Sequence, residues 1–258
     1  MKIEETTAFH TKFIPAGALP QNFHARIING SDVQAGEIPY QVSLQKTFID
    51  GFHFCGGSVL NEKYVITAAH CVEGKTAEQI KVVAATTNLE KPNSTHFVAE
   101  IIIHEKYNPS DSWKNDIALI KIEDRFEVSA VLKFVPLPIP NQDIPAESVA
   151  VISGWGTLQE GGMKPVVLQK AEVFIASQSY CKQVHTDTGS HIDDNTHICA
   201  YDPVHESGPC HGDSGGPLMV GNKLVGLASW VRGCASTIYP SVYTRVPSFL
   251  DWIKANAV

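Results

Sequence analysis

Gly212-Asp213-Ser214-Gly215-Gly216-Pro217 sets a single serine among three glycines. Glycine adopts backbone conformations closed to other residues, so this stretch can turn tightly and aim a hydroxyl and free N–H groups at one point. Read alone, it is the strongest local signal in the chain, with an ordinary Gly-rich turn as the lesser alternative, because Gly and Ser are common turn residues. Two further stretches weigh on that choice. Thr67-Ala68-Ala69-His70-Cys71 ends an apolar run with a histidine beside a cysteine, in a chain that holds 11 His. With so many, one His alone carries little. Asn115-Asp116-Ile117-Ala118-Leu119 places an acid at the start of an apolar strand. A buried carboxylate there needs a partner, whereas an exposed one is a simple cap.

Outward from these segments the chain reads as β-rich. Short runs of Val, Ile and Thr at 64–67, 80–87, 97–103 and 117–122 are broken by Gly, Pro, Asn and Asp. A second set at 149–153, 166–175, 224–231 and 242–246 follows the Pro-rich stretch Phe134 to Pro145, which reads as a linker. Two β-rich halves are implied. After Pro247, the residues Phe249, Leu250, Trp252 and Ile253 fall near one helical stripe and predict a terminal helix.

With 258 residues, 43% apolar and 18% charged, the chain can bury a sizeable core as one globular domain. No apolar run approaches the roughly 18 residues of a membrane span, and residues 1–25 lack the unbroken apolar run of a signal peptide. The net charge is −7, and loss of residues 1–26, with Lys2, Lys12 and Arg26 against Glu4 and Glu5, would make it −8. Such a chain is a poor phosphate binder, so neither nucleic acid nor membrane is an expected partner. Cys55, Cys71, Cys181, Cys199, Cys210 and Cys234 form an even set without a CxxC pair. Disulfides in an oxidising compartment fit this better than a zinc site, although spacing alone leaves the pairing open. The sequons at Asn29 and Asn93 also suit a secreted protein.

Taken together, the His, Asp and Ser segments, in that chain order, resemble the chymotrypsin family of serine proteases; subtilisins and α/β-hydrolases use other orders. The Gly-x-Ser-x-Gly spacing at 212–216 also matches the elbow of an esterase or lipase. That fold needs a His after its Ser, and the last His here is His211. The resemblance runs from Ile27 to the end through Ile27-Ile28-Asn29-Gly30, Gly154-Trp155-Gly156 and Ser229-Trp230. It implies an all-β fold: two six-stranded antiparallel Greek-key β-barrels with a C-terminal helix, the active site lying in the cleft between barrels. Residues 1–26 would be an activation propeptide, with the first barrel at about 27–134, the second at about 135–245 and the helix at about 247–256.

The resemblance also implies roles. Ser214 would be the nucleophile, His70 the general base and then acid, and Asp116 the group that fixes the imidazole tautomer. The N–H groups of Gly212 and Ser214 would form an oxyanion hole. Ser229 would support Asp116 and, with Trp230, offer backbone to an extended substrate. The implied disulfides are Cys55–Cys71, Cys181–Cys199 and Cys210–Cys234. Ala150 and Val220 stand where vertebrate relatives carry a further bridge, which is compatible with an invertebrate member. Cleavage after Arg26 by a trypsin-like protease would free the amine of Ile27 to pair with Asp213, and His53 with Ser43 resembles the arrangement that restrains that Asp beforehand.

For specificity, Gly208 stands where trypsins place an Asp, so the pocket base offers no carboxylate to Lys or Arg. Val231 and Ser241 replace glycines that leave room for large side chains. A small or medium aliphatic residue is therefore expected before the cut, with Leu or an aromatic second. The loop Ala84-Ala85-Thr86-Thr87-Asn88 lacks the acids of a calcium site, so neither metal nor cofactor is expected. The expected partners are protein or peptide substrates, the activating protease and protein protease inhibitors, for a secreted monomer. A protease homologue with a decayed site, acting as a binding or decoy protein, is the competing reading.

Overall fold

The computed structural model describes residues 27–49, 51–140 and 142–258. Arg26 and the rest of the expected propeptide lie outside the described residues. The first barrel is built from β2 (Gln41–Lys46), β3 (His53–Val59), β4 (Tyr64–Thr67), β5 (Ile80–Ala84), β6 (Ser94–Ile103) and β7 (Ala118–Ile122), after a two-residue β1 (Ser31–Asp32). Its closed ring runs β2-β3-β4-β7-β6-β5. The second uses β8 (Val149–Gly154), β9 (Gln169–Ile175), β10 (His197–Tyr201), β11 (Pro217–Val220), β12 (Lys223–Trp230) and β13 (Ser241–Arg245). There the order β9-β10-β13-β12-β11-β8 closes through the β8–β9 pairing, and β1 adds to it along β9. Both rings thus follow one Greek-key order with every strand pair antiparallel, and closure leaves few free sheet edges. The expected architecture is the one observed.

Each barrel fills its own interior. Val42, Leu44, Val65, Ile80, Val82, Ile120 and Ile122 pack inside the first, and Ile152, Val173, Ile175, Ile198, Leu218, Val225 and Tyr243 inside the second. A third cluster lies between the barrels and holds Tyr64, Ile66, Ile117, Leu119, Leu224, Leu227, Phe249 and Ile253. This explains why β4 and most of β7 read as continuous apolar runs, with Lys121 the exception: alternate residues face the barrel interior and the junction, so both faces are largely dry. A 3-10 turn, Val246–Phe249, with Pro near its start, leads into α3 (Leu250–Asn256), which docks Ile253 in the same cluster.

Four strands and a helix have weaker sequence signals. In β2 the residues Gln41, Ser43 and Gln45 alternate with apolar ones and are buried with them, their polar atoms bonded inside the protein. In β3 the pair Gly56-Gly57 resembles a turn but serves close packing. A Cβ on Gly56 would lie 3.2 Å from the Gly216 Cα, and one on Gly57 would lie 2.9 Å from a Val65 methyl. Strands β10 and β11 and helix α2 (Gln178–Thr186) complete the second half, α2 being capped by the Ser177 hydroxyl, which accepts from Tyr180 N. The described part of the stretch from Phe134 to Pro145 carries no regular structure, as a linker should. All three disulfides pair as the resemblance implies. Ala150 and Val220 face each other in the β8–β11 register, so the site of the absent bridge is a neighbouring strand pair.

Candidate active site

His70 sits on α1 (Ala69–Val72), a single turn at the end of β4, and is fixed to the barrel wall by the adjacent Cys55–Cys71 disulfide. Asp116 precedes β7 and has no exposed surface. Its carboxylate accepts three hydrogen bonds: from His70 N at 2.9 Å, from His70 Nδ1 at 2.7 Å and from Ser229 Oγ at 2.6 Å. Three donors make this buried acid tolerable as an anion, and an anion here requires the proton on His70 Nδ1. That leaves Nε2 free to accept. Ser229 reaches Asp116 from the other barrel because β12 slips register between Ala228 and Trp230, a bulge that turns the Ser229 side chain out of the ladder.

Ser214 occupies a loop held from both barrels. Its carbonyl accepts from Gly56 N at 2.8 Å, and Gly215 N donates to Ala228 O at 2.7 Å. Gly215 has φ +74°, and a Cβ there would fall 2.2 Å from Thr67 Oγ1 and 2.6 Å from Gly56 O. The glycine is therefore what lets the serine loop reach the segment that carries His70. Among the described residues no hydrogen bond joins Ser214 to His70; these backbone contacts bring their segments together. Around the serine, the N–H groups of Asp213, Gly215 and Gly216 donate to Cys210, Ala228 and Asp213 carbonyls. No such acceptor is found among the described residues for Gly212 N or Ser214 N. Thr157 N donates to His211 O at 2.9 Å, which points the opposite side of that trans peptide, Gly212 N–H, away from Thr157.

Asp213 is buried and accepts from Gly156 N at 2.8 Å and Cys210 N at 2.9 Å. Burial pushes its carboxyl up to about 6, against the pull of those two N–H groups. His53 does not hold it. The His53 Nε2 lies 2.9 Å from Gly212 O, which can only accept, so Nε2 carries the proton. Burial lowers the His53 pKa to about 3, so the ring is neutral and Nδ1 accepts from the Ser43 hydroxyl at 2.8 Å. The pairing of Ser43 with His53 is thus present, but its other end braces the serine loop rather than the Asp213 carboxylate.

A cavity of about 180 Å³ opens beside Ser214, lined by Pro209, Ala228, Ser229, Trp230, Val231 and Val242 among others. None of its lining residues is acidic. Of the expected pocket residues, Ser229, Trp230 and Val231 line it, while Gly208 and Ser241 do not. Gly208 pairs with Ile28 and packs on Ala235, whose Cα would be 3.0 Å from a Cβ at position 208. Ile27 is fully buried. Trp113, which sequence reasoning passed over, has its ring 6.2 Å from that of Trp230, whose Nε1 donates to Ser112 O at 3.0 Å. The signal available in sequence was a tryptophan set among Ser, Asp and Asn just before Asp116. Ser112, Trp113 and Asn115 all take positive φ, a cluster of unfavourable conformations uncommon outside functional loops.

Among the described residues two groups lie close enough to share an ion, Cys55, His70 and Cys71, and Cys210, His211 and Cys234. In each, both sulfurs belong to a disulfide and offer no thiolate. No helix among the described residues is long and apolar enough to cross a membrane.

The family model described as Trypsin matches residues 27–253. Trypsin-1 of Astacus astacus is 40% identical over 90% of this chain and 100% of its own, and Trypsin of Sarcophaga bullata 40% identical over 94% and 93%. Trypsin Blo t 3 of Blomia tropicalis is 39% identical over 90% and 86%. Among solved structures, human heparin binding protein shares the fold, with a TM-score of 0.78 at 24% identity over 89% of this chain and 96% of its own. From Ile27 onward, then, the chain belongs to the trypsin family of chymotrypsin-type serine proteases.

Proposed function

We propose that this protein is a secreted serine endopeptidase that works through an acyl-enzyme and is switched on by cleavage after Arg26. The observation that carries the reading is the Asp116 carboxylate, buried and bonded at once to His70 Nδ1 and Ser229 Oγ. In that state the imidazole presents an unprotonated Nε2, which takes the Ser214 proton as the hydroxyl attacks the peptide carbonyl. The developing oxyanion is met by Gly212 N–H and Ser214 N–H. Imidazolium, stabilised by Asp116, then returns the proton to the leaving amine, and water repeats the sequence to release the acid. The substrate lies extended along Ser229, Trp230 and Val231, with Trp113 walling its path.

The relatives are named trypsins, yet none of the residues lining the pocket here is acidic, and the side chains of Val231 and Pro209 are part of its lining. This supports a small or medium aliphatic residue before the scissile bond, with Leu or an aromatic second. Activation would free the Ile27 amine to neutralise Asp213, whose burial makes an unpaired anion costly.

The test is to cut the chain with trypsin, verify Ile27 by N-terminal sequencing, and profile a peptide library against a Ser214→Ala control. Cleavage after aliphatic residues that is absent from the control is the expected result. Cleavage after Lys or Arg would overturn the pocket reading, and no cleavage would favour a binding or decoy protein.

A further inference from the structure

A second cavity, of about 550 Å³, shares no lining residue with the pocket beside Ser214. Two of its wall residues, His53 and Lys164, meet the serine loop at Gly212. The Lys164 Nζ would lie 3.4 Å from a Cβ on Gly212. Gly212 therefore stands between the two cavities. If the acyl half of the substrate follows Ser229 to Val231, the half that leaves must run past Gly212 toward Lys164.

The chemistry of that cavity is cationic over an aromatic floor. Phe52, partly exposed, carries two ammonium groups near one ring, with Lys46 Nζ at 4.7 Å and Lys164 Nζ at 5.2 Å from its centre. Phe48, also exposed, lies under Lys46 as well. Lys164 donates to His53 O at 2.7 Å, a neutral acceptor, and neither lysine forms an ion pair among the described residues. Burial lowers the Lys164 pKa, Asp213 opposes the shift, and the charge of Lys46 adds to it. Of the charged residues that line the cavity itself, Lys164 is joined by Lys81 and Glu90, with Leu89 and Val166 in its apolar part, while Lys46 reaches the Phe52 ring from outside the lining. Two like charges converge here in a chain whose net charge is −7.

We propose that this cavity receives the part of the polypeptide substrate that follows the scissile bond, and that Lys164, backed by Lys46, selects an acidic side chain there. A carboxylate beside Lys164 would relieve the repulsion between the two lysines and gain a cation as partner, while its methylene groups rest on Phe52. Lys164 sits beside the residue that holds the oxyanion, so the acid belongs within the first three residues after the cut. The assignment rests on the endopeptidase reading and deepens it by naming a second determinant of substrate choice.

Processed enzyme and quenched peptides identical up to the scissile bond, with Glu or Gln at each of the next three positions, provide the test. Wild type should favour Glu at one position by about fivefold or more in kcat/KM. That preference should shrink as salt is raised to about 0.5 M. Lys164→Gln should erase it, Lys164→Arg should keep it, and Lys164→Glu should favour Lys at the same position. Thermal unfolding of each variant separates loss of preference from loss of fold. An ester with no residue beyond the scissile bond reports the serine hydrolase reading on its own. Ester hydrolysis by wild type without any Glu preference, or a preference that survives Lys164→Gln, overturns the assignment alone. No ester hydrolysis overturns both.

Discussion

Asp116 is a carboxylate without exposed surface whose three hydrogen bonds come from two residues, His70 and Ser229, one in each barrel. Replacing it by Asn would let the amide donate to His70 Nδ1 and so place the imidazole proton on the wrong nitrogen. Asp116→Asn should lower kcat by about 10⁴-fold with little change in KM, as expected for a lost tautomer rather than a lost contact. Ester kinetics check it, and a KM effect alone would contradict the role. Asp213 gives a different residue-scale prediction. Its folded pKa of about 6 lies above the ordinary 3.8, so its contribution to stability is full where both states are protonated and is lost as pH rises through 6. The loss amounts to about 3 kcal/mol at most, for a shift of roughly two units. Urea unfolding of uncut Ser214→Ala protein should show this decline between pH 4 and 7, and Asp213→Asn should flatten it. Pairing with the Ile27 amine in cut protein would lower the Asp213 pKa and reverse the slope.

At the scale of elements, the serine loop depends on a backbone that only glycine permits at 215. Gly215→Ala would combine a strained φ with a Cβ placed against Thr67 Oγ1 and Gly56 O. It should cost more than about 2 kcal/mol and, where the protein still folds, displace Ser214. Chemical unfolding and labelling by a serine-directed phosphonate measure the two effects, and a stable, normally labelled variant would show that the loop has slack. The Cys55–Cys71 disulfide closes a loop with a sequence separation of 16 and anchors α1. Its removal as the double Ala variant should destabilise by about 3 kcal/mol in unfolding experiments.

Over the whole molecule, two rings of identical strand order are joined by an apolar junction rather than by the linker alone. His70 and Asp116 come from one side of it, Ser214 and Ser229 from the other, so the site exists only while the barrels are docked. Phe249, 4% exposed, packs in that junction against His104. Phe249→Ala should destabilise by about 3 to 5 kcal/mol. It should also reduce activity before global unfolding, because loosening the junction parts the two halves of the site. Activity and near-ultraviolet circular dichroism followed through the same urea series would test this, and coincident transitions would count against it.

By itself the sequence was enough for the residue types and their order: Ser214 among glycines, His70 beside a cysteine, Asp116 before an apolar strand, and two β-rich halves about a Pro-rich linker. Those features are local, set by glycine conformation, by the period of apolar residues and by chain order. Strands β2 and β3 were hidden because buried polar residues and paired glycines are not local strand signals; they make sense only beside Gly216 and Ser153 of the other barrel. The same holds for the site. Tertiary structure alone decided that His53 braces Gly212 and leaves Asp213 to Gly156 and Cys210, and that Lys164 stands beside the serine loop. Each is a contact between segments far apart in the chain, fixed by how two closed barrels meet, and no local pattern encodes that meeting.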